Sequence, residues 1–239
     1  RKSTTTRNTK ETKITCSVNL DGNGKSNISS GIGFFDHMLE ILSHHSLIDI
    51  DLQVKGDVNV DLHHSVEDTG YVIAQSISNA LWEKRGIKRY GFFYLPMDEC
   101  LSRCVIDFSG RPELVWNVEL GLEKIGEMDT ELFEEFFKAF SNEAKCNLHV
   151  ENLYGKNNHH IIESCFKAFA RSTRLAIEVD PKIENIIPSS KGLLWSLMKK
   201  IVIVDYGLGN IVSAQQSFVK VSKDNQISAK TIVSNNPSD

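Results

Sequence analysis

The pattern His63-His64-Ser-Val-Glu67 returns 96 residues later as His159-His160-Ile-Ile-Glu163. Each copy opens a long stretch of apolar residues at helical spacing. A chain with one donor cassette at matching places in two stretches is built from two like units, which stack and bury a shared core. The flanking pattern repeats too. In the first half Phe34, Met38, Ile41 and Leu42 predict a helix to about His45, and the alternation from Ile48 to Val54 predicts a strand. A second short strand is expected after Gly56-Asp57, and Asp61 caps a helix from about His63 to Lys84 that stops at Gly86. In the second half Glu131–Ala144 reads as a helix, Asn147–Asn152 as a strand, Gly155–Asn158 as turn and cap, and His159–Glu178 as a helix. Strands are also expected at Lys13–Leu20, before a turn at Asp21-Gly-Asn-Gly24, and around Met97–Phe108. The order β-α-β-β-α, twice, gives an α+β class of duplicated β-β-α units with helices packed on mixed sheets. The halves are placed at about 1–95 and 96–195 of a domain spanning 1–195.

The cassettes are metal donors by type and spacing. A helix advances 100° per residue, so His63 and Glu67 share a face while His64 points about a quarter-turn away. One ion cannot easily take all three side chains, and the same holds for His159, Glu163 and His160. Two ions solve the problem, each taking a His/Glu pair from one cassette and the neighbouring His of the other. The repeat adds a further donor to each half: His37, 26 residues before His63, and Glu135, 24 residues before His159. The expected sets are His37, His64, His159 and Glu163 for one ion, and His63, Glu67, Glu135 and His160 for the other. Imidazole and carboxylate donors suit Mn or Fe better than a closed thiolate zinc site. The alternative for a single cassette is a pair of helix-surface histidines near a carboxylate favoured by the helix dipole.

A formal net charge of −4 with 24% charged residues gives no reason to expect nucleic acid or a membrane surface as partner. No apolar run approaches the roughly 18–20 residues of a membrane-spanning helix, and no cleavable leader is read, so a cytoplasmic location is expected. The five cysteines (Cys16, Cys100, Cys104, Cys146, Cys165) are scattered without a C-x-x-C. They read as buried structural thiols rather than as ligands or disulfides.

The runs Phe35-Asp36-His37-Met38-Leu39, Gly56-Asp57…Asp61-Leu-His63-His64-Ser-Val-Glu67-Asp68, Asp107-Phe-Ser-Gly-Arg111-Pro, Asn158-His159-His160-Ile-Ile-Glu163…Phe166-Lys167-Ala-Phe and Pro188-Ser-Ser-Lys191-Gly resemble the imidazoleglycerol-phosphate dehydratases, over about residues 7–194. The resemblance implies a carbon–oxygen hydro-lyase of histidine biosynthesis that takes imidazole glycerol phosphate to imidazole acetol phosphate. It further implies two Mn2+ per active site, a duplicated fold like the second domain of ribosomal protein S5, and a homo-oligomeric shell of 24 subunits with sites between subunits. Some members carry His where Glu135 stands; carboxylate can replace imidazole on Mn, so Glu135 is kept as a ligand. The substrate's carbon acid is weak, so its imidazole must act as electron sink, and a general acid/base is still required. Glu11 matches the substrate-contacting glutamate and is the candidate for that role, with His45 at a second substrate-contacting position. Glu67 and Glu163 are counted with the catalytic groups as well as the ligands, and His37 also with the substrate contacts. Arg89, Arg111, Lys191, Ser189 and Ser190 match phosphate-binding positions, with Lys167 as a further cation; Arg grips phosphate bidentately and Lys as a point charge. Asp98 and Asp107 are read as orienting groups rather than ligands.

After Pro188-Ser-Ser-Lys191-Gly the character changes, and a boundary is placed near residue 195. Met198 to Val221 combines a basic pair, an apolar strand, a Gly207-Leu-Gly209 turn and a helix, and resembles the N-terminus of the glutamine amidotransferase subunit of imidazole glycerol phosphate synthase. Residues 196–239 thus read as an incomplete fragment without that family's nucleophile, ending in polar Ser234–Asp239. Two other functions stay open: a dinuclear metallohydrolase of a phosphorylated small molecule, and a non-catalytic metal-binding shell protein.

Overall fold

The computed structural model describes residues 1–192, 194, 199–205, 207, 209–224 and 229–235. The expected boundary at 195, Met198, Leu208 and residues 236–239 lie outside the described residues. The chain divides into two compact units, Arg1–Leu194 and Trp195–Asp239.

In the first unit strands β1 (Lys2–Asn8), β2 (Thr12–Asn19), β3 (Ser26–Ser29) and β4 (Asp49–Gly56) form one sheet in the order β1-β2-β4-β3. Strands β5 (Tyr90–Met97), β6 (Cys100–Asp107), β7 (Glu113–Asn117) and β10 (Asn147–Tyr154) form another in the order β5-β6-β10-β7. Both sheets are mixed in the same way: only β3 with β4, and β7 with β10, run parallel. Helices α1 (Gly33–Ser46) and α2 (His63–Leu81) belong to the first half, α3 (Glu131–Ala144) and α4 (Asn158–Ile177) to the second. The repeated unit is therefore β-β-β-α-β-α, longer than the order read from the sequence. The second half opens at Tyr90, earlier than residue 96, and adds a small hairpin, β8 (Lys124–Ile125) with β9 (Met128–Asp129).

Alternation fixes the register. Ile14, Cys16 and Val18 of β2 face Val54, Leu52 and Ile50 of β4, all buried, and Cys104 and Ile106 of β6 face Val150 and Leu148 of β10. A one-residue slip would turn each column to solvent. The helices meet across the halves, α2 on α3 and α1 on α4. Phe133, Phe136, Phe137 and Phe140 of α3 pack with Phe166 and Phe169 of α4, all fully buried, in one continuous core. All five cysteines are free and buried, and burial pushes the Cys16 thiol up to about 12.

Two local expectations change. The residues after Asp57 form a hydrogen-bonded turn (Val60 N to Asp57 O, 2.7 Å) and not a strand, because the turn leads straight into α2. Helix α2 ends at Leu81 rather than Lys84, since Trp82 and Lys84 take positive φ (48° and 58°). Asp61 does meet the helix start, accepting from His63 N at 3.0 Å.

In the second unit β11 (Lys199–Val204) pairs in parallel with β12 (Ala229–Ser234), joined through α5 (Ile211–Asp224). Asn210 caps α5 by accepting from Ser213 N at 3.1 Å. The strand β12 was not expected from the sequence.

Candidate metal centre and substrate groups

Helices α1 and α4 bring three donors to one point. His159 Nε2 lies 3.1 Å from Glu163 Oε2, one turn along α4, and His37 Nε2 of α1 stands 3.8 Å from the same oxygen. Their ligand atoms all lie within 4.8 Å of one another. Phe34, one turn before His37, packs edge-on to the His159 ring at 5.1 Å and fixes it. Burial by itself would raise the Glu163 carboxyl; the Lys167 ammonium, 2.6 Å from Oε1, outweighs it together with His159 and His37, and the group stays lowered. A carboxylate kept ionised is what a cation needs of its ligand.

Helices α2 and α3 build the second trio. His63 Nε2 is 3.8 Å from Glu67 Oε2, and Glu135 of α3 completes a group whose ligand atoms also lie within 4.8 Å. Neither trio contains a thiolate, so both offer imidazole nitrogen and carboxylate oxygen, which fits a hard or borderline divalent cation.

The remaining histidine of each cassette lies apart from these trios. His64 Nδ1 is 3.3 Å from both oxygens of Asp57. His160 Nδ1 is 2.9 Å from Glu99 Oε2. Each carboxylate holds its imidazole above the ordinary histidine range, with Asp57 and Glu99 as the leading causes. Glu99 falls well below the usual carboxylate range, through His160 first and then Asn157 N, which donates to its Oε1 at 2.8 Å. A carboxylate on Nδ1 turns Nε2 toward an incoming ion, the arrangement that orients metal-binding histidines, and His160 Nε2 has Asp98 Oδ2 3.7 Å away. Each expected set of four is therefore three-quarters assembled within one chain: His37, His159 and Glu163 without His64, and His63, Glu67 and Glu135 without His160. Consecutive helical residues diverge by 100°, so the second histidine cannot join its neighbour's trio.

The other candidates surround the trios unevenly. Glu11 is exposed, and its carboxylate makes no hydrogen bond or ion pair among the described residues; its charge adds to the upward pull on His64. His45, half-buried, is lowered by burial first and then by the charges of His44, Lys167 and Arg171. Arg89 spends its fork on Asp107 (2.6 and 3.0 Å) and reaches Pro188 O at 3.0 Å, tying Asp107 to the Ser189–Lys191 turn. In that turn Ser189 Oγ accepts from Lys191 N at 3.2 Å, and Ser190 and Lys191 are exposed. Arg111 is exposed with its backbone N donating to Ser109 Oγ at 3.1 Å. Sequence reasoning did not single out Asp57 and Glu99. The repeat carries a signal for one of them, since Glu11 and Glu99 each immediately precede the second strand of their half.

The chain matches the family model described as imidazoleglycerol-phosphate dehydratase over residues 30–173. It is 52% identical over 194 residues to the imidazoleglycerol-phosphate dehydratase of Hahella chejuensis, covering 81% of this chain and 98% of that one. Among solved structures, the Staphylococcus aureus dehydratase superposes with a TM-score of 0.69 at 38% identity, over 75% of this chain and all of that one. The Pyrococcus furiosus enzyme, solved in complex with (S)-C348, gives 0.68 at 28% identity, over 80% of this chain and all of that one.

Proposed function

The chain belongs to the imidazoleglycerol-phosphate dehydratase family, and from that premise we propose that it works through two divalent ions held between copies of the chain. Its reaction is the dehydration of imidazole glycerol phosphate in histidine biosynthesis. The observation that carries the proposal is the pair of three-donor groups, each lacking the fourth donor of its set, the histidine that the other cassette's helix turns away from its own trio. His37, His159 and Glu163 of one copy would take His64 of another; His63, Glu67 and Glu135 would take His160. Asp57 and Glu99 support this reading by presenting the Nε2 of those histidines. We assign manganese as the ion, a 24-subunit shell as the assembly, and the cytoplasm as the location. Residues 1–195 are assigned as the dehydratase domain and 196–239 as an amidotransferase-like segment.

When bound, the ions supply Lewis acidity that lets the substrate's imidazole accept electron density. The chain's own groups do the rest. Glu11, whose carboxylate has no competing hydrogen bond among the described residues, exchanges the proton at the carbon that loses hydrogen. His45, kept neutral, offers a donor and an acceptor to the substrate. Arg111, Lys191, Ser189 and Ser190 hold the phosphate, with Lys167 beside Glu163 as a further cation. Arg89, its fork engaged by Asp107, positions the phosphate turn and has only its remaining N–H groups for phosphate.

The test is complementation. H64A and H159A should each form little imidazole acetol phosphate from imidazole glycerol phosphate after metal stripping and Mn2+ restoration. Dissociated and reassembled together, they should regain activity, because the trio of the first joins the His64 of the second. Mixtures as inactive as their parents would place each site within one chain.

A further inference from the structure

We propose that Asp68 is a positioning residue whose task is to present Glu11 to the substrate. The proposal rests on the reading of Glu11 as the proton-transfer group.

Asp68 lies on α2 and is 7% exposed. Arg7 Nε donates to its Oδ1 at 2.9 Å, and Thr12 Oγ1 donates to its Oδ2. Arg7 is the next-to-last residue of β1 and Thr12 the first of β2, so one buried carboxylate clamps both sides of the loop that carries Glu11. Thr9 braces the same loop from within: its Oγ1 accepts from Glu11 N at 3.1 Å and Thr12 N at 2.9 Å. Glu11 O accepts from Asp57 N at 3.1 Å, and the Asp57 carboxylate holds His64. The loop that carries Glu11 is thus tied to the helix through Arg7 and Thr12 and to the turn through Glu11 O, while the Glu11 carboxylate is left without a hydrogen bond among the described residues.

The repeat supplies an internal control. The residue 96 positions after Asp68 is Ser164, also buried. There the contact is neutral, Ser164 Oγ to Ser102 Oγ at 2.7 Å. The second half builds the same sheet and helix with a neutral residue at this place, so packing does not demand a charge at position 68; an ion pair whose Arg7 side chain is partly exposed adds little stability. The glutamates differ to match. Glu99, at the place of Glu11, is consumed by His160 and by Asn157 N. In the first half Asp57 takes over the histidine and Glu11 is released for chemistry.

The experiment is a double-mutant cycle on the full chain loaded with Mn2+, reading kcat, KM and bound metal. E11Q should lower kcat by about 100-fold or more, as loss of a general acid/base does. D68N should lower kcat by about 10- to 100-fold, the scale of an ångström-sized misplacement, with KM and bound Mn2+ little changed. On the E11Q background D68N should cost nothing further. T12V should mimic D68N in part and T12S should restore activity, which covers the case of a D68N chain that fails to fold. Losses that multiply in the double variant, or T12V indistinguishable from T12S, would overturn the role of Asp68. Full activity in E11Q would sink the Glu11 reading itself and the proposal with it.

Discussion

His45 shows how a position within the fold gives a residue its chemistry. It lies in the last turn of α1, where burial first, and then the charges facing it from His44, Lys167 and Arg171, outweigh the attraction of Glu163 and hold its pKa low. The unfolded chain takes up the proton near the ordinary value of about 6.5. Its contribution to stability is therefore complete above that value and is lost as pH falls through it toward the lower folded value. Denaturant midpoints of metal-free protein should fall with acidification across this window, and less steeply in H45N. Identical slopes would remove His45 from the account. Glu135 and Asp57 mark the limits of reading at this scale. Glu135 was reachable from its matching place in the repeat, whereas Asp57 earns its role only through the turn that brings it to His64.

Helix α2 can approach α3 closely because residue 70 is glycine. A Cβ there would come 2.7 Å from Phe136 O and 3.2 Å from Ala139 Cβ. Glycine costs a helix interior about 1 kcal/mol relative to alanine, so G70A would gain by propensity alone. Packing should win: overfilled contacts cost about 1–3 kcal/mol. G70A is expected to lower Tm and, by pushing α3 outward, to separate Glu135 from His63 and Glu67. Elemental analysis should then find less bound Mn2+ per chain; a more stable variant with full metal would contradict this. Gly91 plays a like part between β5 and α4, since its Cβ would fall on the Ser172 carbonyl. The amphipathic α3 was legible from end to end in its phenylalanine spacing. The turn after Asp57, β7 and the β8–β9 hairpin were not, because short segments carry too little periodicity to set apart from loops.

At the scale of the molecule, duplication explains why one unit holds two trios of histidine and glutamate donors without a thiol, beside a third group of Glu99, Cys100 and His160. Two sheets of one topology carry helices that meet across the halves, and each meeting, α1 with α4 and α2 with α3, creates one trio. The second unit contributes no residue to either trio. Its helix leaves Val212, Phe218 and Val219 exposed, as expected of a strand pair with too little surface to bury. Truncation after Leu194 should leave turnover per site and Mn2+ content unchanged, measured beside the full chain. A loss of both would assign residues 195–239 a part in folding or assembly.

The sequence by itself determined the donor types, their duplication, the long helices and the alternating strands. All of these rest on local periodicity, which backbone geometry enforces residue by residue. Only the tertiary structure brings those donors together and leaves one histidine of each set apart. His63 and His64 are neighbours in the chain yet serve different partners, because one helical step turns them 100° apart. Glu163 meets His37 across 126 positions because α1 packs on α4. Such convergence is made by long-range packing; the spacing of the repeat nominates the donors but does not bring them together.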